Sequence, residues 1–290
     1  MNNTRYALVT GATGGIGRHI VAQLLARGWF VLGTARSAAR TAELIDWLSS
    51  RGSETSRLTI YEVDLSSQRA LRECAGKLSA PYLNLIIHNA GIYTSKKRLS
   101  PEGIEVQFAV NHLAPFLLTH LLLPRSAKAP GGGRILVVSS GSHAQGRIHW
   151  RNPNLTLYQG LVAYGQSKLA NVLFVYELER RLKARGLPVT ACAIDPGLVT
   201  TDMGFKHTSP ISRLVWYFRR KKGVSPEFSA QSIVTVGCDL PFEEIGGKYW
   251  KFGKPIPSSP RSYREEDARR LWEISERLTG IGSFFEPTVS

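Results

Sequence analysis

A glycine-rich turn placed directly between a strand and a helix constrains this chain more than any other feature. The strand-like run Tyr6 to Thr10 passes into Thr10-Gly11-Ala12-Thr13-Gly14-Gly15-Ile16-Gly17, and a helical pattern begins near Arg18. Glycines at such a turn let the backbone approach a pyrophosphate, whose charge is then stabilised by the amides and macrodipole of the helix N-terminus. Gly11, Gly15 and Gly17 are the three spaced glycines, with Thr13, Gly14 and Ile16 completing the cradle. An ordinary βα turn also uses glycine. The placement after the first strand is what favours a dinucleotide.

The rest of the chain repeats the same alternation. Tyr6–Thr10, Phe30–Ala35, Leu58–Val63, Leu83–His88, Arg134–Ser139 and Val189–Ile194 read as strands, with amphipathic helical patterns filling the intervals. Near-continuous apolar strands alternating with helices imply an α/β fold, a doubly wound parallel sheet of the Rossmann type covered on both faces. Its ligands belong beyond the C-terminal strand ends. The 290 residues, 43% of them hydrophobic, suit a single domain over 1–290. Residues 204–224 break the rhythm and carry Phe205, Leu214, Val215, Trp216, Tyr217 and Phe218, which suggests a substrate lid.

The end of the second strand bears on which dinucleotide is taken. An NAD site usually places a carboxylate there for the adenosine ribose, whereas this chain has Thr34-Ala35-Arg36, with Arg40 one turn on. A guanidinium makes bidentate bonds to a 2′-phosphate, so NADP(H) is the expected cofactor. Asp64-Leu65 closes the third strand, where Asp64 could accept the adenine amino group. His88-Asn89-Ala90-Gly91 closes the fourth, its small residues letting a ribose lie on the backbone while the Asn89 amide pins neighbouring strands.

Tyr164 and Lys168 stand four residues apart on a helical pattern and therefore share one face. That spacing alone is common. Ser139-Ser140, ending the fifth strand, and Asn111, in a helix after the fourth, supply the context. Hydride transfer to a carbonyl builds negative charge on oxygen, which needs a proton and hydrogen bonds. Tyr164 is the expected proton donor, Ser140 the residue that orients the oxygen, and Asn111 the support for a proton-supplying water chain. A free phenol has a pKa of about 10; a cationic Lys168 beside it favours phenolate and could also bond the nicotinamide ribose.

Taken together, TGxxxGxG at Thr10 to Gly17, HNAG at His88 to Gly91, Asn111, Ser140, YxxxK at Tyr164 to Lys168 and Pro196-Gly197 resemble the short-chain dehydrogenase/reductase family. Gly146-Arg147-Ile148-His149, Ser167-Lys168-Leu169-Ala170-Asn171 and Arg269-Arg270-Leu271-Trp272 look like its retinol dehydrogenase branch and the dehydrogenase/reductase X-linked relatives. The resemblance implies catalytic Asn111, Ser140, Tyr164 and Lys168. It makes Ser139 a cofactor-lining residue and wraps the nicotinamide with Asp195 to Thr201, including Pro196, Gly197, Val199 and Thr201. His88 departs from the family's more usual asparagine. Dimers through a helix such as Ala163 to Arg185 are common in the family, and monomers occur on this branch.

Composition trims the alternatives. A formal charge of +15 and a pI near 10.0 would suit nucleic acid, acidic lipid or a phosphorylated ligand, but the basic residues are scattered and no nucleic-acid module is recognisable. Cys74, Cys192 and Cys238 are far apart, with no metal-ligand spacing, so they read as buried thiols and no metal is expected. No signal-peptide pattern or membrane-length apolar run is seen, which leads us to expect a cytoplasmic protein. Residues 214–222 pair aromatics with Arg219 to Lys222 and also fit an interfacial helix, hence a peripheral membrane contact. Trp150 and Tyr158, with the aromatics of the lid, suggest a lipophilic small-molecule substrate. The competing class is a protein that binds NADP(H) and turns nothing over. The Arg36 assignment predicts that Arg36→Asp loses NADPH affinity selectively in a fluorescence titration, while an unchanged preference for NADPH over NADH contradicts it.

Overall fold

Strand formation follows where β-branched and leucine-rich runs can be buried on both faces, as in the central strands of the computed structural model, which describes residues 4–199 and 223–286 and shows eight strands in one sheet. They are β1 (Tyr6–Val9), β2 (Phe30–Ala35), β3 (Leu58–Glu62), β4 (Leu85–His88), β5 (Gly133–Val138), β6 (Val189–Asp195), β7 (Tyr249–Lys251) and β8 (Lys254–Ile256). The order is β3-β2-β1-β4-β5-β6-β7-β8, parallel throughout except for the antiparallel β7–β8 pair. The chain runs outward from β1 to β3 and then returns to place β4 on the other side of β1. This reversal opens a crevice at the C-terminal ends of β1 and β4, where ligands of doubly wound sheets bind.

The helices are α1 (Gly15–Ala26), α2 (Ala38–Ser49), α3 (Gln68–Lys77), α4 (Val106–Ala127), α5 (Gly160–Ala184), α6 (Pro226–Cys238), α7 (Phe242–Ile245) and α8 (Glu265–Thr279). Three of their starts are capped by serine. Ser37, Ser67 and Ser225 accept from the amides of Arg40, Ala70 and Phe228 and so cap α2, α3 and α6. At its other end, α8 stops at Gly280, which adopts φ 64°.

Two large cores result, one on each sheet face, with a third, smaller cluster around Phe108, Leu173 and Leu271. Phe116, Leu117, Phe174, Leu178 and Trp272 join α4, α5 and α8 on one face, while Ile20, Leu24, Val234 and Trp250 fill the other. Helix α4 is long and apolar enough to cross a membrane, yet 94% of its apolar window lies inside the fold. A π-helical turn interrupts it over Ala109–Leu113, the turn that contains Asn111.

The six strands read from sequence are present with small shifts at their ends. Strands β7 and β8 were not foreseen, because three residues are too few to show alternation and these segments gain their order by pairing with β6. Helix α5 begins at Gly160, earlier than the sequence pattern implied. A Cβ at Gly160 would sit 2.4 Å from the Thr94 carbonyl, so the helix can start there because that residue has no side chain. The candidate lid lies outside the described residues except for Gly223 and Val224, and so do Thr201 and the whole 214–222 segment.

Candidate active site

The turn after β1 is built by backbone contact. Gly11 adopts φ 66°, and a Cβ there would stand 3.0 Å from the Ala90 Cα across the crevice. At Gly17 the added atom would meet the Gly11 carbonyl at 2.1 Å, so any larger residue must displace the loop. Threonines complete the frame. Thr34 Oγ1 accepts from Gly11 N at 3.0 Å, and Thr10 Oγ1 accepts from Ala90 N at 3.0 Å. Gly14 is the N-terminal cap of α1, whose first turn carries no acidic residue, so the helix end keeps its positive character. Gly15 is the first helical residue; Thr13 and Ile16 are half-buried beside it.

Asn89 holds the two strands as expected, its Nδ2 donating to the Thr10 and Gly11 carbonyls at 3.0 and 3.3 Å. Leu65, Ala90, Val110 and Thr10 line a narrow crevice next to it. His88, the unusual residue of that turn, faces the core. Its Nε2 meets Thr119 Oγ1 at 2.9 Å, and burial pushes its pKa down to about 3, so it ties β4 to α4 as a neutral ring. Asp64 Oδ1 accepts from Ser66 N and Oγ at 2.9 and 2.8 Å.

Arg36 and Arg40 are both exposed beyond β2. They differ in company. Arg40 pairs with Glu43 at 2.7 Å, so it brings a carboxylate with it, and Ser37 stands between the two arginines with its hydroxyl accepting from Arg40 N. Ser37 was not read as a site residue; its place in an Arg-Ser pair after a strand was the available signal.

Lys168 is 3% exposed, and its ammonium donates to the Val138 carbonyl at 2.9 Å. Burial lowers its pKa to about 8, opposed by the Asp195 carboxylate. The same Nζ lies 5.6 Å from the centre of the Tyr164 ring, and a Cβ on Gly91 would be only 3.3 Å from it. Gly91 therefore leaves room for a ligand group against Lys168. Ser139 donates to the Lys168 carbonyl at 2.8 Å, fixing β5 to α5. Ser140, half-buried, caps the short 3-10 helix Gly141–Gln145, its hydroxyl accepting from Ser142 N.

Asn111 is fully buried with its amide engaged: Oδ1 accepts from Ile92 N at 2.7 Å, and Nδ2 donates to the Ile92 carbonyl and Ser167 Oγ at 3.0 Å each. It thus clamps the backbone after Gly91 to helix α5. Tyr93, which sequence reasoning passed over, sets its ring edge-on to Tyr164 with centroids 6.0 Å apart. The framework also holds two of the expected pocket aromatics. Trp150 packs on the Leu169 and Leu271 cluster under Arg270 and lines an open cavity with His149, Asn152 and Leu157, while the Tyr158 hydroxyl is held by Glu105 and Gln107.

Past β6, Gly197 has φ 80°, and its Cβ would collide with the Phe252 ring at 2.5 Å. Pro196 accepts from Ser229 Oγ at 2.6 Å, and Val199 bridges to Val224. The strand ends thus assemble Gly11, Gly17, Asn89, Ala90, Gly91, Asn111, Ser140, Tyr164, Lys168 and Pro196-Gly197 along one edge of the sheet.

Such a sheet with a glycine cradle beside a buried Tyr-Lys pair defines a nucleotide-dependent oxidoreductase fold. A family model of short chain dehydrogenases matches residues 5–210. Retinol dehydrogenase 14 of Mus musculus is 35% identical over 293 residues, covering 94% of this chain and 85% of that protein. The polyprenol dehydrogenase of Mus musculus is 35% identical over 294 residues, covering 96% and 84%. Among solved structures, the NADPH-bound carbonyl reductase from chicken fatty liver superposes with a TM-score of 0.66 at 25% identity, covering 88% of this chain and 94% of the other. The chain belongs to the short-chain dehydrogenase family, on its retinol dehydrogenase-like branch.

Because the Gly17 clash is with backbone, Gly17→Ala should weaken nicotinamide dinucleotide binding by about tenfold or more and also lower the melting temperature, since overpacking costs about 1–3 kcal/mol. Fluorescence titration beside a thermal melt checks this; an unchanged dissociation constant contradicts it.

Proposed function

We propose that this protein is an NADP(H)-dependent oxidoreductase that interconverts a lipophilic aldehyde or ketone and the corresponding alcohol, with Tyr164 as general acid/base. The observation that carries the reading is the buried ammonium of Lys168, set between the Tyr164 ring, the Val138 carbonyl and the open side of Gly91. A buried cation is costly unless it is paired or functional, and one that faces a phenol at a strand-end crevice suits proton transfer.

The cradle fits a dinucleotide. Gly11 to Gly17 would hold the pyrophosphate against the α1 terminus, Asp64, Leu65, Asn89 and Ala90 the adenosine, and Arg36 with Arg40 the 2′-phosphate. Pro196, Gly197, Val199 and Thr201 would flank the nicotinamide beside Ser139. NADP(H) supplies or accepts the hydride when bound. In the reduction direction, Tyr164 donates its proton to the substrate oxygen while the Ser140 hydroxyl donates a hydrogen bond to it. Lys168 stabilises the phenolate left behind and would bond the nicotinamide ribose. Asn111, through Ile92 and Ser167, keeps the two walls of the crevice in register and would anchor the water that returns a proton.

The substrate class rests on kinship with retinol and polyprenol dehydrogenases by name, and on the Tyr93 ring at the Tyr164 edge. A cytoplasmic protein touching membranes peripherally through 214–222 fits such substrates. Association as a homodimer through α5 remains compatible with this function.

Purified protein with NADPH should reduce members of a panel of long-chain, isoprenoid and retinoid aldehydes and ketones. Tyr164→Phe should lower kcat by about a hundredfold or more; equal activity of this variant sinks the mechanism. The pH profile supplies a second check. The Lys168 ammonium is charged below about 8 and loses its charge as pH rises through that value. For that reason kcat/KM for NADPH should fall on the alkaline side of about 8, and the residual activity of Lys168→Arg should lack this limb.

A further inference from the structure

Beneath Ser140 lies a buried polar cluster that the proposed mechanism does not use. His143 is 5% exposed, and it holds the Ser140 carbonyl twice, with its backbone N–H at 3.0 Å and its ring Nδ1 at 2.8 Å. The opposite ring nitrogen, Nε2, lies 3.0 Å from the Ser259 backbone N. An amide N–H can only donate, so Nε2 must carry the lone pair and Nδ1 the hydrogen. The tautomer is thereby fixed: Nδ1–H donates to Ser140.

Two further groups fix the ring from the side. The Tyr249 hydroxyl lies 3.2 Å from His143 Nδ1, with the two rings 4.6 Å apart, and it hydrogen-bonds the Asp195 side chain. Asp195 Oδ1 accepts from Gly197 N at 2.9 Å, while Oδ2 lies 3.6 Å from Lys251 Nζ and 3.5 Å from the place a Cβ on Gly141 would take. The carboxylate thus stands directly under the residue after Ser140. The segment bearing Ser259 is itself tied at both ends, by Ser258 Oγ to the Tyr176 hydroxyl at 2.7 Å and by Arg261 to the Gly146 carbonyl at 3.2 Å.

We propose that His143, held in one tautomer by Ser259 and braced by Tyr249 on Asp195, is a positioning residue that sets the Ser140 hydroxyl against the substrate oxygen. The proposal rests on the catalytic reading of Ser140 given above. The physical reason is the geometry of the turn. Ser140 leaves β5 in extended conformation, φ −173° and ψ 155°, and caps only a five-residue 3-10 turn, so its own element holds it weakly. Its carbonyl is the handle by which the rest of the fold sets the direction of the peptide. A hydroxyl that must meet a developing oxyanion tolerates little displacement, and an error of about 1 Å can cost a hundredfold in rate.

The arrangement also links the site to the C-terminal part of the chain. Strand β7 and the Ser258–Tyr263 segment, though distant in sequence, would contribute to catalysis through His143 without touching substrate.

The test uses the full-length protein, NADPH and the aldehyde of the panel that is reduced fastest. His143→Phe keeps a ring of similar size and removes both ring hydrogen bonds; His143→Asn can restore a side-chain N–H at the position of Nδ1. We expect kcat to fall about 10- to 100-fold in His143→Phe, with the NADPH dissociation constant within twofold of wild type. His143→Asn should recover most of the loss, and Tyr249→Phe should lose less than His143→Phe. The tautomer gives a readout independent of turnover: 15N NMR should show the His143 ring protonated at Nδ1 alone at neutral pH. Full kcat in His143→Phe, no recovery in His143→Asn, a loss that follows NADPH binding, or an Nε2–H ring overturns the proposal. Ser140→Ala separates the layers. If it is inactive while His143→Phe is fully active, only the positioning role fails; if it is fully active, the catalytic reading of Ser140 fails and the positioning role with it.

Discussion

An ammonium group carried into the interior of a protein dictates much of what surrounds it. Lys168 reaches the end of β5 only because the Val138 carbonyl accepts from it, the Asp195 carboxylate opposes its desolvation and Gly91 presents no side chain in its way. Each of those partners sits at the C-terminal end of a different strand. The sheet order, with β4 and β5 beside β1 and β6 beyond them, is what brings the three together. Ser139, bonded to the Lys168 carbonyl, and Asn111, bonded to Ser167, then lock α5 so that the lysine and Tyr164 keep one orientation.

The same edge explains the glycines. Gly11 and Gly17 allow two pieces of backbone to approach within distances that a Cβ forbids, and this gives the first turn its cradle shape. The α1 terminus and the buried Lys168 ammonium stand at the same C-terminal side of the sheet, and Arg36 lies exposed beyond β2.

Much of this was legible in the sequence, because it is written in short, local patterns. The strand-turn-helix at Thr10 to Gly17, the small residues of His88 to Gly91 and the four-residue spacing of Tyr164 and Lys168 all survive translation into three dimensions. What was hidden depends on partners far along the chain. Strands β7 and β8 exist because β6 offers an edge, His88 is neutral because Thr119 and the core enclose it, and His143 meets Ser140 only through Ser259 and Tyr249. The framework contacts of Trp150 and Tyr158 were hidden for the same reason. Arg270 covers the Trp150 ring, and Glu105 and Gln107 hold the Tyr158 hydroxyl.

The central claim is that hydride moves between a nicotinamide and a carbonyl carbon at the Tyr164–Lys168 edge. It is tested most directly by a single turnover with NADPH carrying deuterium at both C4 positions and a lipophilic aldehyde, followed by mass spectrometry of the alcohol. The account predicts one deuterium on the carbinol carbon for each NADP+ formed, with a slowed rate relative to unlabelled NADPH when transfer limits turnover. Oxidation of NADPH without deuterium in the alcohol, or deuterium transfer at an equal rate in a Tyr164→Phe, Lys168→Met double variant, would contradict it.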